Sequence, residues 1–152
     1  MEKRVAVVSR CLLGIRCRYD GVVRDYGVKK YLSNFEIVDV CPEMDIGLTV
    51  PRYPIRFIRR AKKIILIQRI THLKLKRRIE NFSRKFLLGL ERVDIFLLKS
   101  RSPSCGNGDC KVFLNLRDED ICGYTDGVFT IECKRLFPNI PIFNEENVNL
   151  IK

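Results

Sequence analysis

The sequence predicts an α/β fold: one open, mostly parallel sheet with helices on both faces, Rossmann-like in arrangement, plus a basic hairpin-helix segment. Three observations predict it. The stretches Val5-Ala6-Val7-Val8, Ile37-Val38-Asp39-Val40 and Ile95-Phe96-Leu97-Leu98 read as short buried strands. Strand patterns alternate with helical ones, as in a parallel sheet covered by helices. A cysteine follows each of the three strands: Cys11 and Cys41 within a few residues of the strand end, and Cys105 on the loop Lys99 to Gly106. Ligands in such sheets bind at the carboxyl ends of the strands. Three thiols distant in sequence can therefore meet at one sheet edge, which suggests an iron–sulfur cluster or a zinc ion rather than disulfides.

The elements follow in chain order. A strand from Arg4 to Val8 leads into a loop with Cys11, Gly14 and Gly21, and a helix is expected from about Asp25 to Ser33. A second strand, Glu36 to Val40, ends in Cys41-Pro42-Glu43. The segment Met44 to Pro54 has Gly47, Pro51 and Pro54 and is expected to be irregular. Ile55-Arg56-Phe57-Ile58 and Ile64-Ile65-Leu66-Ile67 flank a basic turn and read as a hairpin projecting from the domain. Thr71 is a candidate N-cap for a helix in which Leu75, Ile79, Phe82, Phe86 and Leu90 form one apolar face. The third strand is Asp94 to Leu98, followed by a glycine-rich loop at Gly106 to Asp109. A helix from Val128 to Phe137 is stopped by Pro138, and Pro141-Ile142-Phe143 is a last short strand.

At 152 residues the chain is expected to form a single domain, 1–152, and a hydrophobic fraction of 46% is enough for a core. No run is long and apolar enough to span a membrane. The charged start, Met1-Glu2-Lys3-Arg4, does not have the form of a secretory signal, so a cytoplasmic location is expected. In that compartment the seven cysteines are free thiols, metal ligands or catalysts. Cys17, Cys110, Cys122 and Cys133 read as small core residues. Cys17 and Cys110 are also close enough in sequence to Cys11 and Cys105 to supply a further ligand.

The net charge of +11 is local. Thirteen Lys or Arg lie between Arg52 and Lys85 against the single acid Glu80. Such a segment can attract RNA or phosphorylated small molecules, or simply keep the protein soluble. Neither GxxxxGK[ST] nor GxGxxG occurs, so nucleoside triphosphate and dinucleotide cofactors are not indicated. There is no CxxC pair, and His72 reads as a surface residue.

Four motifs occur in order: Cys11-Leu12-Leu13-Gly14; Arg18-Tyr19-Asp20-Gly21; Cys41-Pro42-Glu43 with Gly47 and Pro51-Arg52; and Lys99-Ser-Arg-Ser-Pro-Ser-Cys-Gly106. Together they resemble the TudS-like thiouracil and thiouridine desulfidase family over nearly the whole chain. The resemblance implies a 4Fe-4S cluster held by Cys11, Cys41 and Cys105 with one iron open. It implies replacement of a thiocarbonyl sulfur by oxygen without redox chemistry, releasing hydrosulfide. The substrate would be a thiolated pyrimidine base, nucleoside or nucleotide. A general acid/base is needed as well. Glu43, two residues past Cys41, is the candidate, with Ser102 and Ser104 as further catalytic hydroxyls and Arg18, Asp20 and Asp45 as substrate-binding residues. The competing expectation is an RNA-binding protein with a structural metal, contacting RNA through Arg52 to Lys85.

Overall fold

A computed structural model describes residues 2–117 and 119–152, so Met1 of the charged start lies outside the described residues. Among the described residues, eight strands and three α-helices follow one another: β1 (Arg4–Ser9), β2 (Phe35–Val40), α1 (Pro42–Asp45), β3 (Ile55–Arg60), β4 (Lys63–Gln68), α2 (Lys76–Leu88), β5 (Ile95–Leu97), β6 (Cys110–Phe113), β7 (Ile121–Thr125), α3 (Val128–Leu136) and β8 (Ile142–Phe143). The class is α/β, as expected, but the strands divide between two sheets. The first has the order β2-β1-β5-β8 and is parallel throughout. The second, β4-β3-β6-β7, is mixed.

The two longer helices pack on each other between the sheets. Leu87, Phe82 and Phe86 of α2 join Val7, Val40, Phe96 and Phe129 against the first sheet. Ile79 of α2, the preceding Leu75 and Val128 of α3 meet Ile55, Phe57, Leu66 and Val112 of the second sheet. Glu132 of α3 ties the helix pair together: it is 3% exposed and accepts from Arg84 of α2 at 3.3 Å and from Arg135 at 2.6 Å. The other face of the first sheet is closed by 3₁₀ turns at Arg10–Leu13, Lys29–Tyr31 and Val148–Leu150, with Leu12, Leu32 and Val148 against Ala6, Val8 and Leu97. α-Helices on both faces were expected; the second face carries turns instead.

The reason is local. In place of the helix expected over Asp25 to Ser33, only Lys29–Tyr31 winds, as 3₁₀. The Asp25 carboxylate accepts the Gly27 amide at 2.8 Å, and Gly27 sits at φ +67°, a left-handed position that ends helical propagation. The basic hairpin does not project. β3 lies inside the second sheet, with β4 on one side and β6 on the other.

The helix expected to start after Thr71 begins at Lys76. Ile70 and His72 have positive φ, and the Thr71 hydroxyl donates to the Gln68 side chain at 2.7 Å rather than capping a helix. The chain doubles back on β4, where the Leu75 amide donates to the Leu66 carbonyl at 3.0 Å, before it can wind. β6 and β7 fall between the glycine-rich loop and Gly127, where no element was expected. β6 has four residues, β7 contains Gly123, and a register shift interrupts their pairing, so neither carries a clear period-two signal.

Phe96, fully buried at the centre of the first sheet, anchors the contact with α3 and Phe137. Phe96→Ala is expected to lower unfolding stability by about 3–5 kcal/mol, read from urea midpoints at unchanged slope.

Candidate functional site

The carboxyl ends of β1, β2 and β5 open onto a cavity of about 230 Å³ lined by Cys11, Cys17, Cys41 and Cys105. Each thiol arrives by a different local device. β1 ends at Ser9, and the 3₁₀ turn that follows carries Cys11 and is closed by Gly14 at φ +79°. Cys41 sits in extended conformation directly between β2 and α1, with Pro42 at the first helical position, where a missing N–H costs nothing. Asp45 closes that single turn. Its amide donates to the Cys41 carbonyl at 2.8 Å, and its carboxylate accepts the Cys41 amide at 3.1 Å. Arg10 bridges the two strand ends, reaching Asp39 at 2.6 Å and Asp45 at 2.9 Å.

Cys105 lies on the loop after β5. The Ser9 hydroxyl accepts the Lys99 amide at 2.9 Å and so pins this loop to β1. The Ser102 hydroxyl accepts the amides of Ser104 at 3.2 Å and Cys105 at 3.1 Å. The loop then seats on the start of α3. Gly127 donates to the Gly106 carbonyl at 2.8 Å, Val128 to Pro103 at 3.0 Å and Phe129 to Ser104 at 2.8 Å. Helix amides that have no partner within α3 thereby hold the carbonyls around Cys105.

Beside the thiols stands a carboxylate with both oxygens engaged. Arg52 donates to Glu43 Oε1 at 3.1 Å, and the Ser104 hydroxyl donates to Oε2 at 3.0 Å. The same guanidinium reaches the Cys17 carbonyl at 2.9 Å and the Thr49 carbonyl at 3.2 Å. The Arg52 and Glu43 side chains are 5% and 12% exposed. Lys99 also lines the cavity; its ammonium meets Glu145 at 2.9 Å, and Glu145 accepts the Ser100 amide and hydroxyl as well.

Hydrogen bonding divides the protons among the thiols. Hydrogen bonding of the Cys17 thiol with its neighbours raises the Cys17 pKa and lowers those of Cys11 and Cys41, bringing Cys41 down to about 7 against the opposing effect of burial, and the Cys41 thiol also lies 3.9 Å from the Cys17 carbonyl. Cys105 is raised by burial, with a hydrogen bond from Ser9 acting the other way. Four thiols in one cavity are a soft donor set, suited to iron–sulfur or other thiophilic metals. Among the described residues, no three His, Cys, Asp or Glu side chains are grouped to hold a single metal ion. A lone ion needs its ligands gathered on one point, whereas a cluster offers separate irons to separate thiolates.

The expected residues are thus largely brought together. Cys11, Cys41, Cys105, Glu43, Ser102, Ser104 and Arg18 all line the cavity. Asp20 and Asp45 are not among its lining residues. Asp20 holds Arg18 at 3.0 Å, and Asp45 holds Arg10 and the Cys41 amide. Of the two cysteines considered as further ligands, Cys17 joins the site. Cys110 does not: its thiol donates to the Ser102 carbonyl beneath the loop. Arg52 is a functional neighbour that reasoning from charge alone assigned to the basic segment, although the Pro51-Arg52 motif marks it. Other cations of that segment also have structural partners: Arg56 stacks on Phe113 at 3.7 Å, and Arg78 donates to the Ile46 carbonyl at 2.7 Å.

Comparison with known proteins agrees with the motifs. The model of the 2-thiouracil desulfurase family matches residues 6–146. The chain belongs to this family. It is 29% identical over 113 residues to the uncharacterised protein YbbK of Bacillus subtilis, covering 67% of this chain and 73% of that one. A solved structure described as the [4Fe-4S]-dependent thiouracil desulfidase TudS has a similar fold, with a TM-score of 0.72 and 24% identity over 98% of this chain and 95% of that one. In this member of the desulfurase family, no helix among the described residues is long and apolar enough to cross a membrane.

Two outcomes follow from the geometry. A Cβ at Gly127 would lie 2.4 Å from the Ser104 carbonyl carbon and 2.6 Å from the Cys105 amide nitrogen. Gly127→Ala is therefore expected to displace Cys105 while leaving both sheets folded, seen as altered Cys105 alkylation with an unchanged far-ultraviolet circular dichroism spectrum. In the metal-free protein Cys41 is a thiolate above about pH 7, so iodoacetamide labelling of its peptide should rise through that pH. Removing that hydrogen bonding with Cys17→Ala should move the labelling midpoint upward, toward the ~8.5 of an ordinary thiol.

Proposed function

We propose that this chain removes the sulfur of a thiolated pyrimidine, as base, nucleoside or nucleotide, using a 4Fe-4S cluster held by Cys11, Cys41 and Cys105. The observation that carries the reading is the meeting of these thiols with Glu43 in one cavity at the ends of three parallel strands. Membership of the 2-thiouracil desulfurase family supports it, as does a fold shared with a protein described as a 4Fe-4S-dependent desulfidase. When bound, the cluster supplies a Lewis-acidic iron with an affinity for soft sulfur.

The chain's own residues provide the rest. Arg52 and Ser104 fix both oxygens of Glu43, so the carboxylate keeps one orientation toward the cavity. From there Glu43 takes a proton from an attacking water and returns one to the ring nitrogen. The water oxygen ends on the ring carbon as the oxo group. The carbon–sulfur bond breaks, sulfur leaves as hydrosulfide, and one proton is released. Neither oxidant nor reductant enters the balance. Ser102 shapes the turn that presents Cys105, and Ser104 orients Glu43. Arg18, braced by Asp20 and by the Tyr26 hydroxyl at 2.7 Å, offers a charged donor to the polar edge of the substrate.

Anaerobic reconstitution is expected to give about four irons and four labile sulfides per chain, lost in Cys11→Ala, Cys41→Ala and Cys105→Ala but kept in Cys110→Ala. Absence of iron in the wild-type protein would remove the proposal. Glu43→Gln should keep its iron and lose turnover by about 10²–10⁴-fold. Assaying base, nucleoside, nucleotide and thiolated RNA side by side at low and high salt identifies the substrate. A rate on phosphorylated substrates that falls with salt would bring the basic segment into recognition.

A further inference from the structure

The three cysteines assigned to the cluster come from strand ends, and the fourth thiol of the cavity does not. Cys11 follows β1 in a 3₁₀ turn, Cys41 joins β2 to α1, and Cys105 is locked by Ser102 and the start of α3. Cys17 belongs to no strand or helix. It lies on an irregular segment bounded by Gly14 and Gly21, both at left-handed φ. Yet it is 2% exposed and lines the cavity with Cys11 and Cys41, and the Cys41 thiol donates to its carbonyl at 3.9 Å. Its carbonyl is held by Arg52, the residue that also holds Glu43, so the backbone at Cys17 is anchored to the cavity.

A buried thiol that shares the cavity with the three assigned ligands, but comes from a separate segment, is placed to act on the cluster. On the reading proposed above, three cysteines leave one iron without a protein ligand. We propose that Cys17 is a displaceable fourth ligand, closing the cluster in the resting protein and yielding the open iron to the substrate sulfur. With the cluster bound, the entering substrate sulfur would replace Cys17 on the iron, and the released thiolate would take a proton from water, leaving hydroxide. No electron moves. The arrangement protects an otherwise exposed iron until substrate arrives, and it selects ligands by softness: a thiocarbonyl can compete with a thiolate, whereas an oxo product cannot. Product release then lets Cys17 return.

The test uses the reconstituted holoprotein and does not depend on turnover. Wild type, Cys17→Ser and Cys110→Ser are loaded with iron and sulfide, checked for equal iron content, and exposed to ferricyanide. Loss of an iron to form a three-iron cluster is followed by electron paramagnetic resonance. Cys17→Ser is expected to lose that iron at least about tenfold faster than wild type, a difference of about 1.4 kcal/mol, with Cys110→Ser unchanged. Adding 2-thiouracil to wild type under anaerobic conditions should alter the cluster's Mössbauer spectrum, and in Cys17→Ser the open-site spectrum should be present beforehand. Equal rates of iron loss in wild type and Cys17→Ser would overturn the role of Cys17 and leave the three-cysteine reading intact. Failure of Cys17→Ser alone to bind iron would make Cys17 an obligatory ligand and would equally overturn it. Absence of iron in every protein would remove the cluster, and both readings with it.

Discussion

The site depends on how the loop carrying Cys105 is seated. Two of the thiols follow directly from strand ends, but Cys105 lies several residues beyond β5, on a loop with no regular structure of its own. Such a loop leaves its carbonyls to be satisfied elsewhere. The start of α3 has the complementary deficit, amides without intrahelical partners. Gly127, Val128 and Phe129 donate to the carbonyls of Gly106, Pro103 and Ser104, so each half satisfies the other. The contact is close enough that only glycine fits at position 127. Because α3 itself packs between the two sheets through Phe129 and Val128, the position of Cys105 is referred to the whole core.

A second constraint concerns charge inside the cavity. Several thiols that can ionise share a small volume with the carboxylate Glu43, and anions brought together out of water repel one another. The cations placed there answer this need. Arg52 bonds Glu43 and the Cys17 carbonyl, Arg10 joins the ends of β1 and β2 through Asp39 and Asp45, and Lys99 lines the cavity paired with Glu145. The net charge of the Arg52 to Lys85 segment is therefore not all surface. Arg52 belongs to the cavity, Arg56 stacks on Phe113, Arg78 caps the Ile46 carbonyl, and Arg84 binds buried Glu132.

Several features were legible in the chain because each rests on contiguous residues. β1 and β5 are short runs of buried apolar side chains, whereas β2, read as equally buried, buries only Phe35 and Val40 at its ends. The helix Val128–Leu136 stops just short of Pro138. Cysteines placed just after such strands must arrive at the same sheet edge once the strands are parallel, so the chain pattern alone groups Cys11, Cys41 and Cys105, which line one cavity. Glu43 was legible for the same reason, being one helical turn from a strand end.

What tertiary structure alone decided concerns partners far apart in sequence. The division into two sheets turns on β3 pairing with β6, more than fifty residues away, and no local pattern announces that. The placement of Cys17 beside Cys11 and Cys41, with Cys110 outside the cavity, depends on the path of an irregular loop held by Arg52. Of the two serines, Ser102 turned out to fix a turn and Ser104 to hold Glu43, because the turn points one hydroxyl at its own backbone and the other across the cavity. Sequence by itself determined which segments become strands and which thiols stand at their ends, since burial periodicity is local. Only the folded chain determined which cations, hydroxyls and further thiol complete the site, since those contacts join segments that share no local signal.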